Sequence, residues 1–133
     1  MREILFRGKR VDSGEWKYGH YSSVYGAAPV IFEDVTLEDD CTISFEYDHV
    51  DNTTVGQYTG LTDRNGVKIC EGDVMVFDAY GFHYKGVVSF VDGNFCVMCN
   101  RPTASPFLDG AIKQHDAICV GNIHDNPELM EGD

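Results

Sequence analysis

Gln57-Tyr58-Thr59-Gly60-Leu61-Thr62-Asp63-Arg64-Asn65-Gly66-Val67-Lys68-Ile69-Cys70 sets two β-prone runs on either side of an Asn-Gly pair. Asn-Gly in that position is the strongest short hairpin signal a sequence carries, because both residues accept the positive φ that a tight turn demands. Asp63 adds a side chain able to hydrogen-bond its own turn, so the stretch predicts a hairpin over 57–70. Directly after it, Glu71-Gly72-Asp73 reads as a turn into a strand at Val74-Met75-Val76-Phe77. Tyr80-Gly81 turns the chain again into the run from Phe82 to Val91, and Asp92-Gly93-Asn94 leads into Phe95-Cys96-Val97-Met98-Cys99. The stretch from Arg101 to Pro106 reads as loop, since proline cannot donate to a central ladder, and pairing resumes around Ala117-Ile118-Cys119-Val120. Asn126 before Pro127 predicts one short C-terminal helical turn with Asn126 as its cap.

In the other direction, Ile4 to Gly8 and Trp16 to Tyr21 flank Asp12-Ser13-Gly14 as a second hairpin, and short strands are expected at Pro29 to Phe32 and Thr42 to Tyr47. No stretch shows a sustained 3.6-residue period. The expected fold is mainly β, built of antiparallel hairpins and meanders that close into a small barrel in the C-terminal part, because closure removes exposed strand edges. Residues 1–55 form an N-terminal β subdomain on this reading, and residues 56–133 the barrel.

A chain of 133 residues with 43% hydrophobic residues has the material for a packed core without disulfides or metal. Its 22 acidic against 10 basic residues give a net charge of −12, which opposes direct binding to a nucleic-acid backbone. The charge is uneven: Glu33, Asp34, Glu38, Asp39, Asp40, Glu46, Asp48 and Asp51 fall where no Lys or Arg occurs between Pro29 and Thr62. The charged N-terminus offers no signal-peptide core, and the apolar runs are far shorter than the ~20 residues of a membrane helix. A cytoplasmic protein is expected, its five cysteines being odd in number and set in apolar strands as buried thiols.

Three blocks occur in order along the chain: Val55-Gly56-Gln57-Tyr58-Thr59-Gly60-Leu61-Thr62-Asp63-Arg64-Asn65-Gly66, then Ile69-Cys70-Glu71-Gly72-Asp73-Val74, and finally Val120-Gly121-Asn122-Ile123-His124-Asp125-Asn126-Pro127-Glu128-Leu129. With the opening Arg2-Glu3-Ile4-Leu5-Phe6-Arg7-Gly8-Lys9, they make the chain resemble the YopX family. The resemblance implies a β-rich fold with a small SH3-like barrel in the C-terminal part and a phage or prophage origin. It implies no activity. Physically the motif residues Tyr58, Thr59, Gly60, Leu61, Asp63, Asn65, Gly66, Glu71, Gly72, Asp73, Gly121, Asn122, Asn126 and Pro127 read as turn and packing architecture.

Candidate chemistry is sparse. Cys96 and Cys99 with His115 and Cys119 match a C-x2-C…H-x3-C zinc spacing, but a regular strand turns Cys96 and Cys99 to opposite faces. The five histidines form no paired metal or base motif, and neither a nucleophile elbow nor a phosphate loop appears. No cofactor is expected. Trp16, Tyr18 and His20 share strand parity and make one aromatic face near Tyr21 and Tyr25, expected to serve the core. Together these residues point to a non-enzymatic accessory protein acting by protein–protein contact, with self-association included. One alternative is an acidic DNA mimic whose Glu38, Asp39 and Asp40 stand in for phosphates toward a host nucleic-acid-binding protein. The other is a zinc protein built on Cys96, Cys99, His115 and Cys119.

Overall fold

A computed structural model of the chain describes residues 4–23, 29–33, 36–37, 43–44 and 46–131. Its packing divides it into two units, residues 1–58 and 59–133.

The first unit begins with β1 (Phe6–Lys9) and β2 (Trp16–Ser22), a hairpin in the register Lys9 opposite Trp16 and Phe6 opposite Gly19. β3 (Val30–Phe32) follows, then a two-stranded ribbon of β4 (Thr36–Leu37) and β5 (Ile43–Ser44), and β6 (Tyr47–His49). Of the strand expected from Thr42 to Tyr47, Thr42 and Phe45 lie outside the described residues, as does Tyr25 of the aromatic group. The sheet order is β6-β3-β2-β1, and the first residues of β7 (Gly56–Thr62) extend it along β1. One face packs Ile31 and Val50 against Gly8, so tightly that a Cβ on Gly8 would lie 3.1 Å from the Cβ of Val50. Trp16, Tyr18 and His20 share a face by the strand period of two. Tyr18 and His20 are exposed, so the expectation that this face serves the core is corrected. Arg7 lies over the Trp16 ring at 4.7 Å from its centroid, which holds the indole along the sheet surface.

In the second unit the later part of β7 pairs with β8 (Lys68–Cys70) across the Asn65-Gly66 turn. A five-stranded antiparallel sheet follows: β9 (Asp73–Ala79), β10 (Phe82–Val91), β11 (Asn94–Asn100), β12 (Thr103–Ala104) and β13 (Ile118–Asn122), ordered β12-β11-β10-β9-β13. Ile69, Met75, Val88, Val97 and Leu108 are almost wholly buried at its centre.

Four expectations change. The sheet does not close into a barrel: β12 and β13 are its two edges, because β12 is only two residues long and no ladder joins it to β13. A helix the sequence did not announce, α1 (Leu108–His115), lies after β12 and turns Leu108 and Ala111 into the core. Its eight residues are too few to show a period, and packing rather than propensity stabilises so short a helix. The stretch expected as loop contributes the edge strand β12, consistent with proline being tolerated at edges. The C-terminal turn is present as a 3-10 helix over Pro127–Met130, but Asn126 makes no side-chain cap to it. The Asn126 Oδ1 instead accepts the Asn122 N–H at 3.3 Å.

Candidate functional site

Local chemistry explains most of the motif residues. Asp63 is 5% exposed, and its Oδ1 accepts the N–H groups of Asn65 at 2.9 Å and Val67 at 3.0 Å. Its Oδ2 reaches across to β13 and accepts the Cys119 N–H at 3.0 Å. That amide belongs to an edge strand, so the carboxylate occupies a donor that would otherwise be open to pairing. Arg64, next in sequence, ion-pairs with Asp116 at the left-handed cap of α1. The hairpin loop thus fixes β13 through Asp63 and meets the end of α1 that carries His115 through an exposed ion pair. Thr59 Oγ1 donates to the Ile69 carbonyl at 2.7 Å, Leu61 packs against the core, and Asp73 accepts the Cys70 N–H at 2.8 Å. Gly72, at φ +89°, donates to Val88 and accepts from Ile123, both at 2.9 Å, joining β10 to the end of β13. Asn122 Oδ1 accepts from His124 at 3.0 Å and Asp125 at 2.9 Å, and Gly121 leaves room for the Asn126 side chain.

The zinc ligand set is not assembled. β11 runs in regular register past Cys96 and Cys99, with Cys99 turned toward the core beside Val97. The His115 ring stacks on Phe77 at 5.9 Å, and the Cys119 thiol donates to the Gly121 carbonyl at 3.3 Å. Among the described residues no group of three His, Cys, Asp or Glu side chains could hold a metal ion. Burial pushes the Cys96 thiol up from its ordinary value, with the Asp92 charge adding to it, and burial alone does the same for Cys99. Both are therefore poor nucleophiles. In the native protein Cys96 and Cys99 should alkylate with iodoacetamide far more slowly than a cysteine peptide, as read by peptide mass spectrometry. Equal rates would contradict their burial. Glu38, Asp39 and Asp40 lie outside the described residues.

The second unit also carries a feature absent from the expectations above. Between the turn joining β9 to β10, the loop before α1, and α1 itself lies a groove of about 450 Å³. Phe77, Tyr80, Tyr84 and Phe107 supply aromatic walls, while Ala79, Ala104, Gly110 and Ala111 keep the floor low and Gln114 and His115 bring polar atoms. Phe77 stacks on Tyr84 at 5.1 Å with 12° between the planes and on His115 with 19°, and Tyr80 meets His115 edge-on at 5.5 Å. Tyr80 is 84% exposed and Phe107 60%.

Tyr80 occupies this place against its backbone preference. It has φ +53° and Gly81 φ +83°, both positive as a two-residue turn of this kind requires. The next hairpin uses Asp92 and Gly93 at φ +50° and +85°, the residue types such turns favour. A bulky aromatic at the first position is disfavoured by about 1 kcal/mol. Tyr in place of Asn or Asp before Gly81 was the one sequence signal that could have pointed here; the other lining residues are dispersed and meet only through the fold.

An antiparallel two-unit β protein with an open aromatic groove, and no assembled metal cluster among its described residues, is the class these features define. The chain belongs to the YopX protein family, whose model matches residues 5–131. It is similar to the crystal structure of protein EF1440 from Enterococcus faecalis, at 27% identity and a TM-score of 0.63, covering 98% of this chain and 100% of that one. Among curated proteins no sequence matches. Among the described residues no helix is long and apolar enough to cross a membrane.

Proposed function

We propose that this protein is a non-enzymatic accessory module of phage or prophage origin that works in the cytoplasm by protein–protein contact, using the groove beside Tyr80 as its contact surface. Tyr80 carries the reading: it is a strained aromatic at the mouth of an aromatic-walled groove, and its edge-on contact with His115 leaves it mostly in solvent. Exposed aromatic clusters rimmed by polar groups are typical anchor sites for partners.

Two variants separate binding from folding. Tyr80→Asn restores the preferred Asn-Gly turn and should raise stability by about 0.5–1 kcal/mol, a small upward shift in thermal midpoint. The same variant, and Phe107→Ser, should lose partners that the parent protein captures from host lysate in affinity purification. Undiminished capture by both variants overturns the groove as contact surface. Substrate turnover by the pure parent, abolished by a single substitution, overturns the non-enzymatic reading.

A further inference from the structure

Asn65-Gly66 is the one Asn-Gly pair in the sequence; the other asparagines, Asn52, Asn94, Asn100, Asn122 and Asn126, precede Thr, Phe, Arg, Ile and Pro. The Asn65 side chain is exposed and makes no hydrogen bond, its backbone N–H alone being engaged, by Asp63. Gly66 stands at φ +79°, and a Cβ built on it would meet nothing within 4 Å. An unbonded amide therefore precedes a backbone nitrogen that carries no side chain to hinder approach.

That pairing permits a spontaneous reaction with water as the only co-reactant. The Gly66 nitrogen bonds to Asn65 Cγ and closes a five-membered imide, while the Cγ–Nδ2 bond breaks and Nδ2 leaves as ammonia with the proton of the Gly66 N–H. Water then opens one of the two C–N bonds of the imide. Cleavage at Cγ leaves aspartate at position 65 on an ordinary main chain; cleavage at the former backbone carbonyl routes the main chain through Cβ and Cγ and leaves the old carbonyl carbon as a free carboxylate. Nothing is oxidised or reduced.

The fold holds this reaction back through Asp63. The Gly66 N–H that must be surrendered donates to the Asp63 carbonyl at 3.0 Å, and Asp63 Oδ1 grips the N–H groups on either side, Asn65 at 2.9 Å and Val67 at 3.0 Å. Attack requires this turn to open locally. Rerouting then makes the opening permanent, since it lengthens the main chain between the two gripped amides by one carbon, about 1.5 Å. One oxygen no longer accepts both at hydrogen-bonding distance, and a new carboxylate faces Asp63. The other oxygen of Asp63 is the acceptor for the Cys119 N–H on the β13 edge.

We propose that Asn65 is a spontaneous deamidation site, gated by Asp63, and that its rerouted product traps the open turn and frees the β13 edge. The inference is independent of the groove and of what the protein contacts.

The full chain and a capped peptide spanning residues 61–69 are incubated side by side at mildly alkaline pH, and conversion of each asparagine is followed by peptide mass spectrometry with chromatographic separation of the two products. Asn65 should convert before any other asparagine of the chain, about ten- to a hundredfold more slowly than in the peptide, as local opening of a turn requires. Asp63→Ala should bring the rate to within about twofold of the peptide. Asp63→Asn, which keeps an oxygen toward Asn65 and Val67, should lie between parent and peptide, so the gate is readable even if the alanine variant does not fold. Hydrogen exchange at the Cys119 amide should be faster in the purified rerouted form than in an Asn65→Asp variant, which carries the same charge on an ordinary main chain. Preferential conversion of another asparagine, or an Asn65 still intact after several hundred peptide half-lives, overturns the site. Equal rates in parent and peptide, or no acceleration in either Asp63 variant, overturn the gate. Equal Cys119 exchange in the rerouted form and in Asn65→Asp overturns the link to β13.

Discussion

Replacing Asp63 with alanine should lower the stability of the second unit by about 3–4 kcal/mol. The side chain is nearly buried and accepts three backbone N–H groups, from Asn65, Val67 and Cys119. Each donor left without a partner costs roughly 1–3 kcal/mol where water cannot replace it, and hydrogen bonds to a charged acceptor lie at the upper end of the usual range. Asp63→Asn distinguishes the two halves of the role. An amide can keep its oxygen toward Asn65 and Val67, but its NH2 then faces the Cys119 N–H, donor against donor. The expected loss is about half that of alanine. Its signature is local: hydrogen exchange at the Cys119 amide should accelerate more than exchange in β9 or β10. Equal protection of Cys119 in parent and Asn variant would show that the carboxylate does not guard the β13 edge. The same change should loosen the Arg64 to Asp116 pairing and with it the end of α1, so that the His115 amide shifts as well.

The degree to which this architecture is readable from the residues depends on the range over which each signal acts. Asn65-Gly66 and Asp92-Gly93 declare their turns because positive φ is a property of single residues, and both hairpins are found where those residues place them. The motif carboxylate Asp63 is legible as a turn former, yet its Oδ2 bond to β13 spans 56 positions and no local pattern encodes it. Closure of a sheet is likewise a property of edges that meet or do not, and the alternation along each strand is the same in either case. The helix escaped because Leu108, Ala111 and Ile112 are its apolar residues packed on the core, too few to distinguish a helix from a loop. The groove is illegible for the same reason, apart from the anomaly at Tyr80. An ill-suited residue in a turn that otherwise follows the rules is a sequence signal in its own right.

Gly86→Ala should be the most damaging single-methyl addition in the five-stranded sheet. Gly86 lies in the middle strand, opposite Met75 on β9 and Cys99 on β11, so both of its neighbours are held by complete ladders. An added Cβ would sit 2.6 Å from the Met98 carbonyl oxygen, 2.8 Å from its carbonyl carbon, and 2.8 Å from the Cys99 Sγ. Two of those three atoms are backbone and cannot swing away as the end of a side chain could. Overpacking of this kind typically costs about 1–3 kcal/mol, and a clash with fixed backbone belongs at the top of that range. About 3 kcal/mol corresponds to a fall of roughly 10 °C in thermal midpoint for a chain of this size. A double variant separates the two contributions. Cys99→Ala removes the sulfur but not the Met98 carbonyl, so adding it to Gly86→Ala should recover less than half of the loss beyond its own effect. Full recovery would show that the thiol alone demands glycine there. An undiminished midpoint in Gly86→Ala itself would show that β10 and β11 can separate without penalty, contrary to the register that joins them.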